Sequence, residues 1–138
     1  MLLKDRHIFI VEDNLQNRVI FQMALIRQGA HVSFERWGRD TMMNLKGAPF
    51  IHLIILDLML ADNISGFDVY DEIRANPRFA MTPILAVSAM EPAVAIPQAK
   101  AKGFSGFIAK PIDDQRFPIQ IASVIEGQYV WYAGERTL

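Results

Sequence analysis

Short, continuous runs of apolar residues recur along the chain in the manner of buried β-strands. The clearest runs cover residues 7–11, 53–56 and 83–87, and a weaker run at 31–34 and a short one at 107–109 bring the number to five. The clear runs do not alternate between apolar and polar positions, which is typical of strands covered by helices on both faces of a sheet. The pattern therefore predicts five parallel strands.

Segments with helical periodicity separate these runs. In the first, Leu15, Val19, Met23 and Ile26 fall on one helical face, and Gly29 follows as a C-terminal cap. Gly47, Gly103 and Gly127 mark the ends of the second, fourth and fifth helices. The third helix is expected over residues 65–76, where Asn76-Pro77 ends it. The inner face of the fifth helix carries Phe117, Ile121, Val124 and Ile125.

The stretch over residues 90–97, between Ser88 and Gly103, carries two prolines, Pro92 and Pro97. Proline is tolerated in the first turn of a helix but not in its interior. The sequence therefore predicts that the fourth helix begins only near Pro97, which shortens the surface it offers to partners.

Strands and helices alternate strictly, which predicts a doubly wound α/β fold with right-handed crossovers. The 138 residues contain no linker or repeat, so we expect one domain over residues 1–127 and a short tail over 128–138. The tail carries Tyr129, Trp131 and Tyr132, and we expect it to pack on this domain or on a second subunit, with a frayed end as the alternative. It is too short for an output domain.

Composition excludes several classes of function. The net charge is −1 and the chain has no basic run, which gives no support for direct nucleic-acid binding. No apolar stretch is long enough for a signal peptide or a membrane span, so a cytoplasmic protein without membrane insertion is expected. The absence of cysteine excludes disulfides, thiol catalysis and cysteine-ligated zinc.

Charged and hydroxyl side chains follow four of the predicted strands. Glu12 and Asp13 follow the first, Asp57 the third, Ser88 the fourth and Lys110 the fifth. Because the carboxyl ends of parallel strands share one edge of a sheet, these side chains are expected to form one site. The electrostatic repulsion within each close pair of carboxylates costs roughly 4 kcal/mol at an effective dielectric constant near 20. Lys110 offsets only one charge, so the cluster predicts a divalent cation, with Mg²⁺ the natural candidate.

These residue types also suit phosphoryl transfer. An ionised aspartate such as Asp57 can attack phosphorus and form an acyl phosphate, while the cation, Lys110 and the Ser88 hydroxyl neutralise charge on the transferring group. Taken singly, each residue has a simpler interpretation as a helix cap, a loop hydroxyl or a solvated charge. Their coincidence at strand ends favours the functional interpretation.

Four motifs carry a resemblance to a known family. They are Val11-Glu12-Asp13-Asn14, Leu56-Asp57-Leu58-Met59, Val87-Ser88-Ala89 and Phe107-Ile108-Ala109-Lys110-Pro111. With these motifs in this order, residues 7–126 resemble the receiver domain of two-component response regulators. The resemblance implies a flavodoxin-like (βα)5 fold with the strand order 2-1-3-4-5.

The resemblance also implies a role for each site residue. It makes Asp57 the phosphoacceptor, and it makes Ser88 and Lys110 the groups that bind the phosphoryl oxygens. The implied metal ligands, for Mg²⁺ or alternatively Mn²⁺, are Glu12, Asp13, Asp57 and the backbone carbonyl of Met59. Ser88 and Phe107 would form the conformational switch, with Ser88 drawn toward the phosphoryl group and Phe107 turning inward, and the Lys110–Pro111 peptide bond would be cis.

The function implied is that of a stand-alone receiver. It would take a phosphoryl group from a histidine kinase or a histidine phosphotransfer protein and switch a protein-interaction surface, as a monomer or a homodimer. Such a domain promotes its own phosphorylation and dephosphorylation and is not an enzyme with a separate substrate. Two side chains near the site, Met59 and Met90, cannot orient a hydrolytic water, so we expect a long-lived aspartyl phosphate.

Two alternatives remain open at this stage. A phosphatase or phosphotransferase of the haloacid dehalogenase type would also use an aspartyl phosphate, but it needs an acid two residues after the nucleophile, where this chain has Met59. A flavodoxin-like cofactor-binding module would need a glycine- or hydroxyl-rich loop after the first strand, where Glu12 and Asp13 would repel a phosphate. The loop over residues 60–66 is also one residue longer than usual for the receiver family.

Overall fold

The computed structural model describes residues 1–38 and 40–134, so residues 135–138 of the tail lie outside the described residues. The strands are β1 (His7–Val11), β2 (His31–Glu35), β3 (Leu53–Leu56), β4 (Ile84–Ser88), β5 (Gly106–Ala109) and β6 (Val130–Tyr132). The helices are α1 (Leu15–Ile26), α2 (Thr41–Gly47), α3 (Gly66–Arg74), α4 (Pro92–Lys102) and α5 (Arg116–Ile125). Within the described part of the chain, no helix combines the length and the hydrophobicity that crossing a membrane requires.

The six strands form one sheet in the order β2-β1-β3-β4-β5-β6, and every neighbouring pair is parallel. The predicted doubly wound fold and the order 2-1-3-4-5 are therefore confirmed. The predicted number of strands is one too low, because Val130–Tyr132 adds a sixth strand beside β5. The tail thus contacts the sheet of its own domain.

Helices cover both faces of the sheet and bury two separate hydrophobic clusters. On one face α1 and α5 contribute Phe21, Leu25 and Phe117, which pack on residues such as Ile10 and Ile55 of the central strands. The opposite face is covered by α2, α3 and α4. Since β1, β3 and β4 are covered on both faces, their sequences are continuously apolar rather than alternating.

The apolar face that identifies α1 in the sequence is its outer face. Leu15, Val19, Met23 and Ile26 are 72%, 53%, 57% and 45% exposed, whereas the side chains that α1 buries are those of Phe21, Ala24 and Leu25. Both sides of this helix are apolar, so periodicity alone cannot tell which side meets the sheet. The solvent-facing stripe is an unusual surface for a helix of this kind.

The predicted start of α4 is wrong. The helix begins at Pro92 and contains Pro97 in its interior. Pro92 occupies the first turn, where its missing N–H costs nothing. Pro97 lies on the exposed side, so water can bind the Ala93 carbonyl that loses its helical hydrogen bond, while Ala95 and Ala99 pack inward. The surface of α4 is therefore not shortened.

Candidate functional site

Asp57 lies at the centre of the carboxyl edge of the sheet. It follows β3, and its N–H donates to the Val11 carbonyl of the neighbouring strand β1 at 3.3 Å. The parallel arrangement brings the ends of β1, β4 and β5 to the same edge. Only 7% of Asp57 is exposed, so its carboxylate depends on protein groups for most of its hydrogen bonds.

Three groups already donate to the Asp57 carboxylate. The Ser88 hydroxyl donates to Oδ1 at 2.8 Å, and the Met59 backbone N–H donates to the same oxygen at 3.0 Å. Lys110 Nζ donates to Oδ2 at 2.7 Å. An ionised carboxylate with this set of donors is ready to act as a nucleophile whose product carries more negative charge.

Lys110 links two of the three acidic residues. Its ammonium lies 2.7 Å from Asp57 Oδ2 and 2.9 Å from Glu12 Oε2, and its side chain is largely buried. Burial by itself would lower the pKa of Lys110, but the hydrogen bonds and charges of Asp57 and then Glu12 outweigh burial and raise the pKa above its ordinary value. Lys110 is therefore a cation at any physiological pH.

Glu12 is almost completely buried and fully partnered. Besides Lys110, its carboxylate accepts from the Asn14 N–H at 3.1 Å and from Asn17 Nδ2 at 3.2 Å. Asn14 is also the N-cap of α1, since its Oδ1 accepts from the Asn17 N–H at 3.0 Å. The cap that starts α1 and the acidic end of β1 are thus one hydrogen-bonded unit.

The loop over residues 59–65 folds as a small antiparallel hairpin beside the site. At its tip Asp62 and Asn63 have φ angles of 59° and 58°, a left-handed conformation that Asp and Asn tolerate better than most residues. The hairpin directs the Ala61 N–H to Asp13 Oδ2, while Arg36 Nε lies 3.7 Å from Asp13 Oδ1. The Ala61 amide of this loop therefore helps to fix Asp13.

Gly66 allows α3 to begin directly against the backbone of Asp57. A Cβ atom at this position would lie 2.2 Å from the Asp57 carbonyl oxygen and 2.6 Å from Leu58 Cα. No side chain fits at these distances, so only glycine permits the approach. Ser65 caps the same helix by accepting from the Phe67 N–H at 3.2 Å.

These groups surround an open cleft of about 470 Å³. It is lined by Glu12, Asp13, Asn14, Asn17, Asp57, Met59, Leu60, Ala61 and Lys110. Three carboxylates against the Lys110 ammonium and the more distant Arg36 guanidinium still leave an excess of negative charge, which fits a divalent cation. Among the described residues no three acidic or histidine side chains are arranged to hold a metal ion by themselves. The donor set therefore suits an ion such as Mg²⁺, which binds one or two carboxylates and takes its other ligands from water and substrate.

The structure brings together most, but not all, of the residues that the sequence singles out. Glu12, Asp13, Asp57, Ser88 and Lys110 share the cleft or contact one another within it. Met59 contacts the site through its backbone N–H, which donates to Asp57 Oδ1. Phe107 lies outside the cleft and is completely buried in the core beside β6. The Lys110–Pro111 peptide bond is cis.

Sequence reasoning misses Asn17, the Ala61 amide and Gly66 as parts of the site. The three-residue spacing from Asn14 to Asn17 is the one local signal for Asn17, because it is the spacing of a helix cap and the N–H it binds. The Ala61 amide and Gly66 act through backbone geometry in a loop, for which the sequence offers no such spacing.

Comparisons with known proteins agree with this geometry. The model of the response regulator receiver domain family matches residues 8–122. The two-component response regulator ORR12 of Oryza sativa subsp. japonica is 26% identical over 106 residues, which cover 77% of this chain and 87% of that protein. The signal transduction histidine-protein kinase BarA of Escherichia coli (strain K12) is 28% identical over 109 residues, which cover 79% of this chain but only 12% of the kinase.

Solved structures show the same fold. A putative response regulator from Chloroflexus aurantiacus J-10-fl superposes with a TM-score of 0.80 at 20% identity, covering 89% of this chain and 99% of that one. The receiver domain of the sensor histidine kinase PA1611 from Pseudomonas aeruginosa PAO1, which has a magnesium ion coordinated in its active-site cleft, superposes with a TM-score of 0.71 at 22% identity. That match covers 90% of this chain and 99% of the PA1611 domain.

Proposed function

This chain belongs to the family of response regulator receiver domains, and on that premise we propose that Asp57 accepts a phosphoryl group from a phosphohistidine donor. The donor would be a histidine kinase or a histidine phosphotransfer protein. The observation that supports this most directly is the Asp57 carboxylate, which contacts both Lys110 Nζ and Ser88 Oγ at the edge of an acidic cleft.

In the proposed transfer the phosphoryl group moves from a ring nitrogen of the donor to a carboxylate oxygen of Asp57. One oxygen of Asp57 attacks phosphorus and forms the acyl phosphate, while the bond from phosphorus to the donor imidazole nitrogen breaks. The donor ring, protonated on its second nitrogen, keeps the bonding electron pair and leaves as neutral imidazole. The Lys110 ammonium and the Ser88 hydroxyl are placed to donate to phosphoryl oxygens as negative charge develops there.

Glu12, Asp13 and Asp57 are the residues that would hold the divalent cation, with the Met59 carbonyl as a further ligand. Mg²⁺ is the ion we propose, with Mn²⁺ as an alternative, and it would neutralise charge on the phosphoryl oxygens. The negative excess of the cleft supports this proposal, as does the magnesium ion in the cleft of the PA1611 receiver. Asn17 and the Ala61 amide hold Glu12 and Asp13 in the cleft before any cation binds.

A protein donor must cover the mouth of the cleft to reach Asp57, and α1 lies beside that mouth. Asn14 and Asn17 of its first turn line the cleft. The α1 outer surface runs from there along the helix and consists of Leu15, Val19, Ile20, Met23 and Ile26. We propose that the donor docks on this apolar surface, since burial of exposed apolar area is the main driving force for such an encounter.

We further propose that the domain works in the cytoplasm and passes its signal on by contact with another protein. The reaction on Asp57 would be a promoted self-modification, and the domain would turn over no separate substrate. The absence of any basic run in the sequence supports a protein rather than a nucleic acid as the next partner.

Labelling with a small phosphodonor tests the proposal. Acetyl phosphate with Mg²⁺ should add one phosphoryl group to the wild type, detected by intact-mass spectrometry. Asp57→Asn should remain unlabelled, whereas Asp114→Asn, at an exposed aspartate that does not line the cleft, should label like the wild type. A label that persists in Asp57→Asn, or that forms equally well in excess chelator, would overturn the assignment.

A further inference from the structure

The sixth strand, β6, pairs closely with the backbone of β5. Gly106 of β5 pairs with Val130 of β6, and a Cβ atom at Gly106 would lie 2.1 Å from the Val130 carbonyl oxygen. Glycine in a strand interior weakens a sheet, so it usually marks a place where another backbone approaches closely. Here the approaching backbone is β6.

Both faces of β6 are anchored to helices. On one face Trp131 packs against the core cluster, and Lys100 of α4 lies 5.1 Å above its ring. On the other face the Tyr132 hydroxyl accepts from an Arg116 guanidinium N–H of α5 at 2.6 Å. The strand therefore ties α4 and α5 to β5, although it is only three residues long.

The position of β6 matters for the site because β5 leads directly into Lys110. The Lys110 N–H donates to the Ser88 carbonyl at 3.0 Å, so the ends of β4 and β5 move as a pair. Phe107 lies three residues before Lys110, is completely buried, and is the register partner of Trp131. Trp131 packs against the core cluster that contains Phe107, on the side of β5 that would otherwise be the edge of the sheet.

We propose that β6 positions the phosphoacceptor site. By keeping Phe107 inside the sheet edge, Trp131 holds β5 in the arrangement in which Lys110 and Ser88 both contact Asp57. This inference rests on the proposed function, since that arrangement is the one that binds a phosphoryl group. Coupling between two sites is reciprocal, so loss of the Trp131 contact weakens phosphoryl binding, and an occupied Asp57 protects β6 from opening.

Beryllofluoride with Mg²⁺, a stable analogue of the aspartyl phosphate, provides the test. Trp131→Ala should bind it at least about 5-fold more weakly than the wild type. Trp131→Phe should recover most of the affinity, because a phenyl ring can still pack against the core cluster from this register position. Phe50→Ala removes an exposed aromatic ring away from β6 and should leave the affinity unchanged. In the wild type, beryllofluoride should slow amide exchange at Val130 and Tyr132.

A second readout does not depend on phosphoryl binding. In the ligand-free protein, Trp131→Ala should shift the NMR signals of the Ser88 and Lys110 amides, and Phe50→Ala should not. If Trp131→Ala does not fold, Lys100→Ala loosens the same ring without opening a cavity and should change affinity in the same direction.

Unchanged affinity and unchanged Ser88 and Lys110 signals in a folded Trp131→Ala variant would overturn the inference. A wild type that does not bind beryllofluoride would instead refute the proposed function, and the ligand-free amide signals would then decide the role of β6 alone.

Discussion

Lys110 Nζ lies 2.9 Å from Glu12 Oε2, a contact between residues 98 positions apart in the chain. It joins the acidic end of the first strand to the end of the fifth, with Asp57 between them on the same ammonium. The Lys110 ammonium therefore links Asp57, the proposed nucleophile, to Glu12, a proposed metal ligand.

Replacing Lys110 should affect both stability and reaction rate. Lys110→Ala leaves two buried carboxylates without a counter-charge, and we expect a loss of about 3–5 kcal/mol in the free energy of unfolding without divalent ions. Labelling by acetyl phosphate should slow about 10²-fold. Urea unfolding in chelator and intact-mass kinetics measure these effects. The matched control is Lys102→Ala, whose Nζ pairs with Asp71 at the surface and should cost less than about 1 kcal/mol. Equal effects from the two variants would contradict the role of Lys110.

Changes on the α1 outer surface should separate protein donors from small donors. Met23→Lys places a charge on this surface, so transfer from a phosphohistidine-bearing protein that phosphorylates the wild type should slow at least several-fold. Labelling by acetyl phosphate should not change. Met81→Lys is the control, because Met81 is 93% exposed and lies away from α1. Equal transfer rates for both variants would show that the donor docks elsewhere.

The aspartyl phosphate should decay slowly, because the methionines near the site cannot orient water. Met59 lines the cleft and is half exposed, whereas Met90 is partly buried against the core. Met59→Asn should therefore speed the loss of phosphate by up to about 10²-fold, with a smaller effect from Met90→Glu. Decay of the labelled protein after removal of donor measures this. Variants that decay at the wild-type rate, or more slowly, would refute the explanation.

Adding one methyl group at Gly106 should destabilise the sheet. Gly106→Ala places Cβ against the Val130 carbonyl and Leu85, and we expect a loss of about 1–3 kcal/mol from the forced separation of β5 and β6. Gly47→Ala is the matched control, since nothing lies within 4 Å of its added Cβ. That change should be neutral or stabilise by up to about 1 kcal/mol. Thermal or urea unfolding compares the two, and equal stabilities would argue against close β5–β6 contact.

The free energy of unfolding should decrease at acid pH because of His52. Its Nδ1 accepts from the His7 N–H at 3.0 Å, and burial, then Arg6, then His7 lower its pKa below 6.5. The unfolded chain therefore binds the proton more readily, so stability is complete above about pH 7 and declines as pH falls below about 6.5. In His52→Asn, Oδ1 can accept the same hydrogen bond without titrating. Unfolding between pH 5 and 8 should show a flatter profile for this variant, and identical profiles would exclude His52 as a cause.

The positions of Asp57, Glu12, Ser88 and Lys110 could be predicted because parallel strands determine which residues meet at an edge. Each acid, hydroxyl or ammonium follows an apolar run, and the alternation of strands with helices makes those runs parallel. The side-chain contacts then follow from topology alone. The backbone donors of the 59–65 loop could not be predicted, because they depend on left-handed residues whose conformation a short polar segment does not specify.

β6 was missed for a different reason. Val130–Tyr132 is three residues long and half-buried, and its pairing depends on the absence of a side chain at Gly106, more than twenty residues earlier. Similarly, the inner side of α1 could not be assigned because Phe21 and Leu25 are as apolar as the exposed Val19 and Met23. In both cases the structure is decided by contacts between residues that are far apart in the sequence.

The direction of β6 has a practical consequence for experiments on this protein. Because β6 is parallel to β5, Ala133 and Gly134 lie at the carboxyl edge of the sheet, where they line a 420 Å³ recess with Lys110 and Pro111. An affinity tag or fluorescent protein joined directly after Gly134 would stand beside Lys110, where the proposed donor has to approach. The N-terminal segment lies at the opposite edge, before the start of β1, and is the better site for fusion.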